Sequence, residues 1–334
     1  MGRGKGYHQY LFVPKIEDVA EKKRLENGVA LAMKVLMVFL DGFGLGEPDQ
    51  RKNPYVTAQT PFLDEILGGH LLYRREGPLI NLNAVMVPTE TCLGIPGLPQ
   101  SASGQTTLWT GVNAAARVGF HVNGYPTGTL IKILEEASIF KKLKSSGKRV
   151  AFANAYRPEY FEQVAQRRRR HSSSTVAALS AGLALRTLDD LRFGRAVYQD
   201  ITNEMLSRLG YEVPVRSPAE AGTRLARLAA GYDFTLFEYF QTDIAGHRQD
   251  FFRARHLLTL LDTFLKEITA NVDPFEFLIL VVSDHGNVED LSTDTHTVNP
   301  VPTLIIGREA RKFSGSIKSL EDITPLIVEI LSKD

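Results

Sequence analysis

The sequence of 334 residues has a single cysteine, Cys92, and no excess of charge of either sign. One cysteine excludes an internal disulfide framework and a metal site built from thiolates alone, and it fits a reducing cytoplasm. The 39 basic residues nearly balance the 38 acidic ones, which argues against a dedicated nucleic-acid-binding protein. A long apolar run is also missing, because the longest stretch, Val29–Leu40, is interrupted by Lys34 and is too short to span a bilayer. We therefore expect a cytoplasmic protein with no nucleic-acid or membrane partner.

The composition divides the chain into an extension, a core and an insertion. Residues 1–32 carry mixed charge and are predicted to be a poorly ordered N-terminal extension, without a targeting segment. Residues 33–156 and 232–334 contain the strand-like runs and are predicted to form the core. Residues 157–231 lack clear strands and contain the arginine run Arg167–Arg170, which we interpret as a solvated face or loop. This segment is predicted to be a mostly helical cap insertion.

Short, continuous apolar runs rich in β-branched residues predict buried strands. They are Val35–Leu40, Arg149–Ala153, Phe234–Phe240, Phe277–Val282 and Pro302–Ile306. Helical patterns lie between them, at Thr60–Leu67, Gly128–Glu136, Ile139–Ser145, Phe251–Ala270 and Glu321–Leu331. This alternation predicts an α/β fold with a doubly wound, mostly parallel sheet covered by helices on both faces, plus the small helical cap. Ligands bind such sheets at the carboxyl ends of the strands.

Acidic and imidazole side chains cluster where the predicted strands end. The cluster consists of Asp41, Asp243, His247, Asp284, His285 and His296. The spacing of four puts Asp243 and His247 on one face of a helical turn, as a chelating pair requires. A lone aspartate after a strand is usually a helix N-cap, but three aspartates and three histidines at one sheet edge predict a metal site. Oxygen and nitrogen donors without sulfur suit zinc or manganese.

The other histidines carry no such pattern and are interpreted as surface or core residues: His8, His70, His121, His171 and His256. The glycines Gly42, Gly44 and Gly46 are spaced G-x-G-x-G, which differs from the G-x-G-x-x-G of dinucleotide-binding loops. No Walker A pattern is present either. A nucleotide-phosphate loop is therefore not predicted.

A loop rich in small and hydroxyl residues enters a predicted helix near Ser101. At the start of a helix, free backbone N–H groups and the helix dipole favour a phosphate or an alkoxide. Ser101 is therefore the candidate nucleophile, with Ser103 as the nearest rival. A plain helix-capping role is the ordinary alternative for either serine.

Taken together, these motifs resemble the alkaline phosphatase superfamily of two-metal phosphoryl- and sulfuryl-transfer enzymes. Asp41-Gly42 ends the first strand, and Ser101 precedes the glycine of Thr110-Gly111 by ten residues. Asp243-x-x-x-His247, Asp284-His285-Gly286 and His296 follow in the order of that superfamily. The branch it resembles most is that of the cofactor-independent phosphoglycerate mutases and phosphopentomutases, through Asp284-His285-Gly286-Asn287 and His296-Thr297-Val298-Asn299-Pro300.

The resemblance implies a role for each matched residue. One metal ion would be held by Asp243, His247 and His296, and a second, about 4 Å away, by Asp41, Asp284 and His285. Ser101 would be the nucleophile and would form a phosphoserine intermediate. The implied cofactors are two divalent ions, manganese or zinc, and the implied partner is a small phosphorylated substrate.

The sequence also departs from its relatives. The mutases carry Gly-Asn-Ser-Glu-Val-Gly-His around the nucleophile and a much larger insertion, and both are absent here. Sulfatases carry Cys-x-Pro-x-Arg, whereas here Ser101 stands at the nucleophile position and Gln105 at that of the arginine. A phosphohydrolase acting on a small phosphoester is therefore our first hypothesis. A phosphomutase, a phosphodiesterase and a non-catalytic metal-binding protein are the alternatives.

A substrate phosphate usually requires a cationic side chain beyond the metals. Arg117 follows the predicted nucleophile helix, and Arg157 begins the cap. Both are candidate substrate-binding residues, and a solvated surface arginine is the alternative for each. The sequence makes no prediction of the oligomeric state.

Overall fold

The structure is a computed structural model that describes residues 32–333. The predicted N-terminal extension, except for its last residue, lies outside the described residues. Nine strands occur in chain order: β1 (Lys34–Leu40), β2 (Leu79–Ile80), β3 (Ala84–Thr89), β4 (Val150–Phe152), β5 (Ala155–Tyr156), β6 (Arg186–Thr187), β7 (Phe234–Tyr239), β8 (Phe277–Val282) and β9 (Val301–Ile306). Seven of them form the central sheet in the order β2-β3-β9-β8-β1-β7-β4, and β5 pairs with β6.

The central sheet is mixed. β1 lies between β7 and β8 and is parallel to both, and β4 is parallel to β7. β9 is antiparallel to β8, and β3 is antiparallel to β9, so β3 runs in the same direction as β8. The five predicted strands are all present. β3 was not predicted from the sequence, and its Pro88 is a residue that strand patterns disfavour.

Helices cover both faces of this sheet. In chain order they are α1 (Pro61–Leu67), α2 (Ser101–Thr110), α3 (Ala114–Val118), α4 (Gly128–Ala137), α5 (Ile139–Ser145), α6 (Pro158–Ala165), α7 (Ser173–Ser180), α8 (Leu188–Arg192), α9 (Glu204–Arg208), α10 (Pro218–Ala229), α11 (Gln241–His247), α12 (Phe251–Ala270) and α13 (Ile323–Ser332). Short 3₁₀ turns occupy Pro54–Thr57, Ala310–Phe313 and Leu320–Asp322. Among residues 32–333, no helix is long and apolar enough to cross a membrane.

Alternating side chains of β1 divide the core into two halves. Leu36 and Val38 pack on one face with apolar residues of α1, α10 and α12. Met37 and Phe39 pack on the other face with α2, α4, α5, α7 and α13. This period of two, with both faces buried, is what a central strand covered by two helical layers requires. The predicted α/β fold with helices on both faces is thereby confirmed.

The predicted cap segment contributes to both halves of this core. α10 packs against α12, with Leu225 fully buried, and α7 packs on the opposite face next to α4 and α5. Between them, Leu188, Leu191 and Leu206 belong to a small separate cluster. The division of the chain into core and cap stays a prediction.

Candidate metal centre

The topology brings the predicted donor residues to one edge of the sheet. β1, β7 and β8 are parallel, so Asp41, α11 and Asp284 all follow strands that end at the same edge. His296 precedes β9, which is antiparallel to β8, and the start of β9 therefore lies at this edge too. Ser101 reaches the edge because β3 runs in the same direction as β8 and leads into its loop.

Asp243, His247 and His296 form a first group of converging donor atoms. The Nε2 atoms of His247 and His296 lie 3.2 Å apart. Oδ2 of Asp243 lies 3.4 Å from His247 Nε2, and its Oδ1 lies 3.8 Å from His296 Nε2. Asp243 lies in the first turn of α11 and His247 is its last residue, so the helix places the two on one face, as their spacing predicted.

The hydrogen bonds of these two histidines show that the group fits a cation. His296 Nδ1 lies 2.8 Å from the carbonyl oxygen of Pro99, and His247 Nδ1 lies 2.7 Å from that of Asp294. Since a carbonyl oxygen only accepts, each Nδ1 carries the proton that it donates, which leaves a lone pair on each Nε2. Two lone pairs that face each other at this distance repel unless a cation lies between them, and such carbonyl partners are typical of metal-binding histidines.

A second group of donors consists of Asp41, Asp243 and His285, so Asp243 belongs to both groups. His285 Nε2 lies 3.6 Å from Asp41 Oδ1 and 3.4 Å from Asp284 Oδ2. The ring of His285 stacks on that of His296, with centroids 3.6 Å apart, which brings the two groups side by side. The shared Asp243 was not predicted, because the carboxylate orientation that joins the groups depends on the folded α11.

The carboxylates are crowded, and within residues 32–333 Asp41, Asp243 and Asp284 form no ion pair with a lysine or an arginine. Burial, with repulsion from Asp284 and Asp243, raises the pKa of Asp41 well above its ordinary value. Burial, together with the charge on Asp243, raises the pKa of Asp284 to about 7. Asp41 Oδ1 also has no hydrogen-bond partner among the described residues. A divalent cation would satisfy this oxygen and remove the repulsion between the carboxylates.

Burial shifts the pKa of His285 in the opposite direction. Burial, followed by the charge of His296, lowers the pKa of His285 to about 3. The ring is therefore neutral at physiological pH, which is the form that binds a metal ion.

Ser101 differs from Ser103 in what its hydroxyl group contacts. Ser101 is the first residue of α2, is partly exposed, and has its Oγ 3.1 Å from His285 Nε2. Ser103 is fully buried, donates its hydroxyl to the Gln100 carbonyl, and accepts from the Val122 N–H. The geometry therefore brings Ser101, and not its rival, to the donor groups.

Two polar side chains that the sequence did not identify as site residues hold the carboxylates in place. Gln105, one turn after Ser101 on α2, donates from Nε2 to Asp284 Oδ2 at 3.1 Å. Asn287 donates from Nδ2 to Asp243 Oδ1 at 2.6 Å. Gln105 lies close to Ser101 in the sequence and Asn287 close to His285, so proximity to a predicted site residue was the available signal.

Glu289 explains part of the glycine pattern after β1. This buried carboxylate accepts from the backbone N–H of Gly44 at 3.1 Å, from that of Asn287 at 2.7 Å and from Asn299 Nδ2 at 3.0 Å. A Cβ at Gly44 would overlap the Glu289 carboxylate. Gly44 thus permits a close approach between the loops that carry Asp41 and Asp284, and its role is unrelated to nucleotide phosphates.

The two predicted substrate arginines occupy different places. Arg157 lines a cavity of about 420 Å³ that also contains Ile244, the neighbour of Asp243. Arg117 is exposed and lines a separate depression of about 460 Å³ that contains none of the donor residues. Arg169 and Arg170, predicted to lie on a solvated face or loop, are exposed but also line the cavity of Arg157.

Comparison with known proteins finds similarity over part of this chain. Residues 203–334 match the metalloenzyme superfamily. The 2,3-bisphosphoglycerate-independent phosphoglycerate mutase of Dinoroseobacter shibae is 34% identical over 114 residues, which are 32% of this chain and 22% of the mutase. The chain thus spans about a fifth of the length of this curated relative.

Solved structures with low sequence identity share the fold. A phosphoglycerate mutase of Leishmania mexicana, crystallised at low cobalt concentration, superposes with a TM-score of 0.55 and 12% identity, over 90% of this chain and 95% of the mutase. The alkaline phosphatase of the Antarctic bacterium TAB5 has a TM-score of 0.50 and 13% identity, over 91% of this chain and all of that one (100%). The match of residues 203–334 to the metalloenzyme superfamily and the shared fold support the resemblance to the alkaline phosphatase superfamily and its branch of cofactor-independent phosphoglycerate mutases.

Proposed function

We propose that this protein is a two-metal phosphoryl-transfer enzyme that hydrolyses a small phosphoester through a phosphoserine at Ser101. The observation that carries the proposal is the position of the Ser101 hydroxyl, 3.1 Å from His285 Nε2 at the edge of two converging donor groups. A protein that only bound metal would have no need for a nucleophile at this point.

The donor residues divide between two divalent ions. Asp243, His247 and His296 would hold one ion, and Asp41, Asp284 and His285 the other, with manganese or zinc as the ions that suit these donors. Two divalent ions supply positive charge that favours the alkoxide of the nucleophile and stabilises the leaving oxygen.

Ser101 and its neighbours then account for the transfer itself. The hydroxyl loses its proton and its oxygen attacks phosphorus, while the ester P–O bond breaks and the leaving oxygen gains a proton. Water then attacks the phosphoserine, which releases inorganic phosphate and restores the serine. Gln105 holds Asp284 in place during both steps. The first-turn N–H groups of α2 favour the negative charge on the phosphoryl group.

An arginine in the neighbouring cavity completes the proposed site. Arg157 is the candidate for contact with the substrate, because it shares that cavity with Ile244 next to Asp243. We assign no substrate role to Arg117, which lies on the separate depression.

The test is hydrolysis of p-nitrophenyl phosphate by protein stripped of metal and reloaded with manganese, zinc or magnesium. We expect metal-dependent turnover in the wild type, loss of at least about 1000-fold in Ser101→Ala, and retention in Ser103→Ala, the matched serine on the same helix. Acid quenching and mass spectrometry should locate a phosphate on Ser101. Turnover that survives Ser101→Ala would overturn the assignment of the nucleophile.

A phosphomutase is the second candidate, and the names of the curated relatives favour it. In that reaction the product's second hydroxyl group takes the phosphoryl group from Ser101, so no phosphate is released. We expect one free phosphate per substrate consumed if the hydrolase proposal is correct. Consumption of substrate without release of phosphate would favour the mutase instead.

A further inference from the structure

Two arginines near α10 carry charge that the protein does not neutralise. Arg216 precedes α10, Arg224 lies in the middle of it, and both side chains are half-buried. Among residues 32–333, neither arginine forms an ion pair with an aspartate or a glutamate. Arg216 Nε and Arg224 Nη1 are shielded from solvent and have no hydrogen-bond partner in that range. A shielded donor without an acceptor costs free energy, and a ligand that supplies the acceptor charge offsets that cost.

The two guanidinium groups lie close enough to repel each other. Partial burial, followed by repulsion from Arg216, lowers the pKa of Arg224, and Arg227 adds to the effect. Glu220 acts in the opposite direction. Its Oε2 atom, however, accepts from the Ser217 backbone N–H at 2.8 Å and from the Ser217 hydroxyl at 3.0 Å. Glu220 therefore serves the cap of α10, and an excess of positive charge remains beside it.

The end of α8 lies against Arg224 but does not explain it. A Cβ at Gly194 would lie 3.1 Å from Arg224 Nη1, so the guanidinium approaches the glycine backbone closely. The carbonyl oxygen of Asp190 accepts from the backbone N–H of Arg195, and that of Leu191 accepts from the N–H of Gly194. These carbonyl groups are satisfied without Arg224, so its role is not to cap α8.

The acidic side chains of α8 are also engaged by other arginines. Asp189 Oδ1 lies 2.7 Å from Arg192 Nη1, and Asp190 Oδ1 lies 2.9 Å from Arg195 Nε. These carboxylates are therefore already neutralised by partners on their own segment. Their pairing leaves the arginines of α10 without a counter-ion from this side.

We propose that Arg216 and Arg224 form a binding site for an anion that carries phosphate or carboxylate oxygens, separate from the metal centre. Neither arginine lines the cavity of Arg157, and neither belongs to the donor groups. Guanidinium groups present planar sets of donors that match such oxygens. The anion would offset the repulsion between the two charges. Arg227, exposed and one turn further along α10, would add to the attraction.

The test is calorimetric titration of the full-length protein, freed of metal and of chelator, at constant ionic strength. Inorganic phosphate and citrate are the two probes, so that phosphate and carboxylate chemistry are distinguished. Without metal ions, the crowded carboxylates of the donor groups repel both probes. We expect the wild type to bind at least one probe. Arg216→Met with Arg224→Met, the α10 double variant, should bind that probe about tenfold more weakly.

Two further double variants remove the same charge elsewhere. Arg167→Met with Arg168→Met changes two exposed arginines, and Arg169→Met with Arg170→Met changes two arginines of the Arg157 cavity. Each should retain the binding event that the α10 double variant loses. The inference is wrong if all three double variants weaken binding by the same factor, or if the wild type binds neither probe.

Thermal unfolding separates ligand binding from a structural role of the two arginines. Because the α10 double variant relieves a repulsion, it should melt no lower than the wild type in sodium chloride. Sodium phosphate or citrate, whichever is bound, should raise the melting temperature of the wild type more than that of the variant at equal ionic strength. An equal rise in the two proteins would assign the arginines a purely structural role and overturn the inference.

Discussion

At the scale of single residues, the metal centre depends on glycines that admit a buried carboxylate. Glu289 accepts hydrogen bonds from the loops after β1 and β8, and a Cβ at either Gly44 or Gly286 would overlap its carboxylate. Since Glu289 is buried and has several donors, it cannot move aside without leaving those N–H groups unsatisfied. The positions of Asp41 and Asp284 therefore depend on the lack of a side chain at Gly44 and Gly286, which leaves room for the Glu289 carboxylate.

This steric limit predicts that Gly44→Ala lowers the free energy of unfolding by about 2 kcal/mol, through overpacking against Glu289. Gly128→Ala is the matched control, because a Cβ there meets no atom within 4 Å. It should leave stability unchanged or raise it by about 0.5 kcal/mol. Urea unfolding of both variants checks the prediction, and equal stability of the two would contradict it.

At the scale of elements, α10 is part of the core although it lies in the predicted insertion. Leu225 is fully buried among residues of α12, and a Cβ at Gly222 would lie 2.6 Å from the Phe264 carbonyl oxygen. Such a close approach leaves little room for either helix to shift relative to the other. We infer that α10 contributes to the stability of the sheet that carries the site.

We therefore predict that Leu225→Ala lowers the free energy of unfolding by about 3 kcal/mol, because it leaves a cavity against α12. Leu209→Ala, in the same segment but 55% exposed, should cost less than about 0.5 kcal/mol. Denaturant unfolding measures both. A small effect for Leu225→Ala would indicate that α10 belongs to a cap that unfolds on its own.

A charged contact joins the starts of two neighbouring strands. Asp233, before β7, accepts from the Arg149 backbone N–H at 2.7 Å and from its guanidinium at 2.8 Å. Partial burial raises the pKa of Asp233, but the hydrogen bonds and charge of Arg149 outweigh it, so the pKa lies below its ordinary value. A carboxylate of this kind stabilises the fold above its unfolded pKa of about 3.9, and the effect is lost as the pH falls through its folded pKa.

Asp233→Asn should therefore lower the free energy of unfolding by about 1 kcal/mol at pH 7, since the pair is partly exposed. The difference from the wild type should shrink as the pH falls below about 4. Urea unfolding between pH 7 and pH 3 checks this, with Asp189→Asn, whose side chain is 72% exposed, as the control. A difference that grows towards low pH would contradict the assignment.

At the scale of the whole molecule, the two donor groups join a helix and three loops from four parts of the chain. Asp243 belongs to both groups, so its carboxylate connects the elements around both proposed ions. A ligand that binds only the folded state stabilises it by an amount that grows with its concentration. The metal ions should therefore stabilise the tertiary structure as well as supply chemistry.

We predict that manganese, at about 100 times its dissociation constant, raises the free energy of unfolding of stripped protein by about 2.7 kcal/mol. Asp243→Asn should lose most of this gain, whereas Asp189→Asn should keep it. Thermal melts with chelator and with added manganese provide the measurement. An equal metal response in Asp243→Asn and in the control would show that the ions bind elsewhere.

The local pattern of the sequence determined the individual elements and the identity of the donors. β8 and α12 begin and end at their predicted residues, because hydrophobic period and end signals act over a few neighbours. The residues Asp41, Asp243, His247, Asp284, His285 and His296 could be found because strands of one direction end at one edge. Their roles as metal ligands, and that of Ser101 as nucleophile, stay predictions.

Only the tertiary structure decided how these parts meet. Contacts between residues far apart in the chain set the antiparallel direction of β9 and bring Asp243 into both donor groups. They also pack α10 on α12 and place Arg169 and Arg170 on the cavity. Local sequence patterns do not predict such contacts. Their free energy arises from shape and charge complementarity between surfaces that exist only after folding. The sequence by itself determined which chemistry was available, and the tertiary structure decided where that chemistry converges.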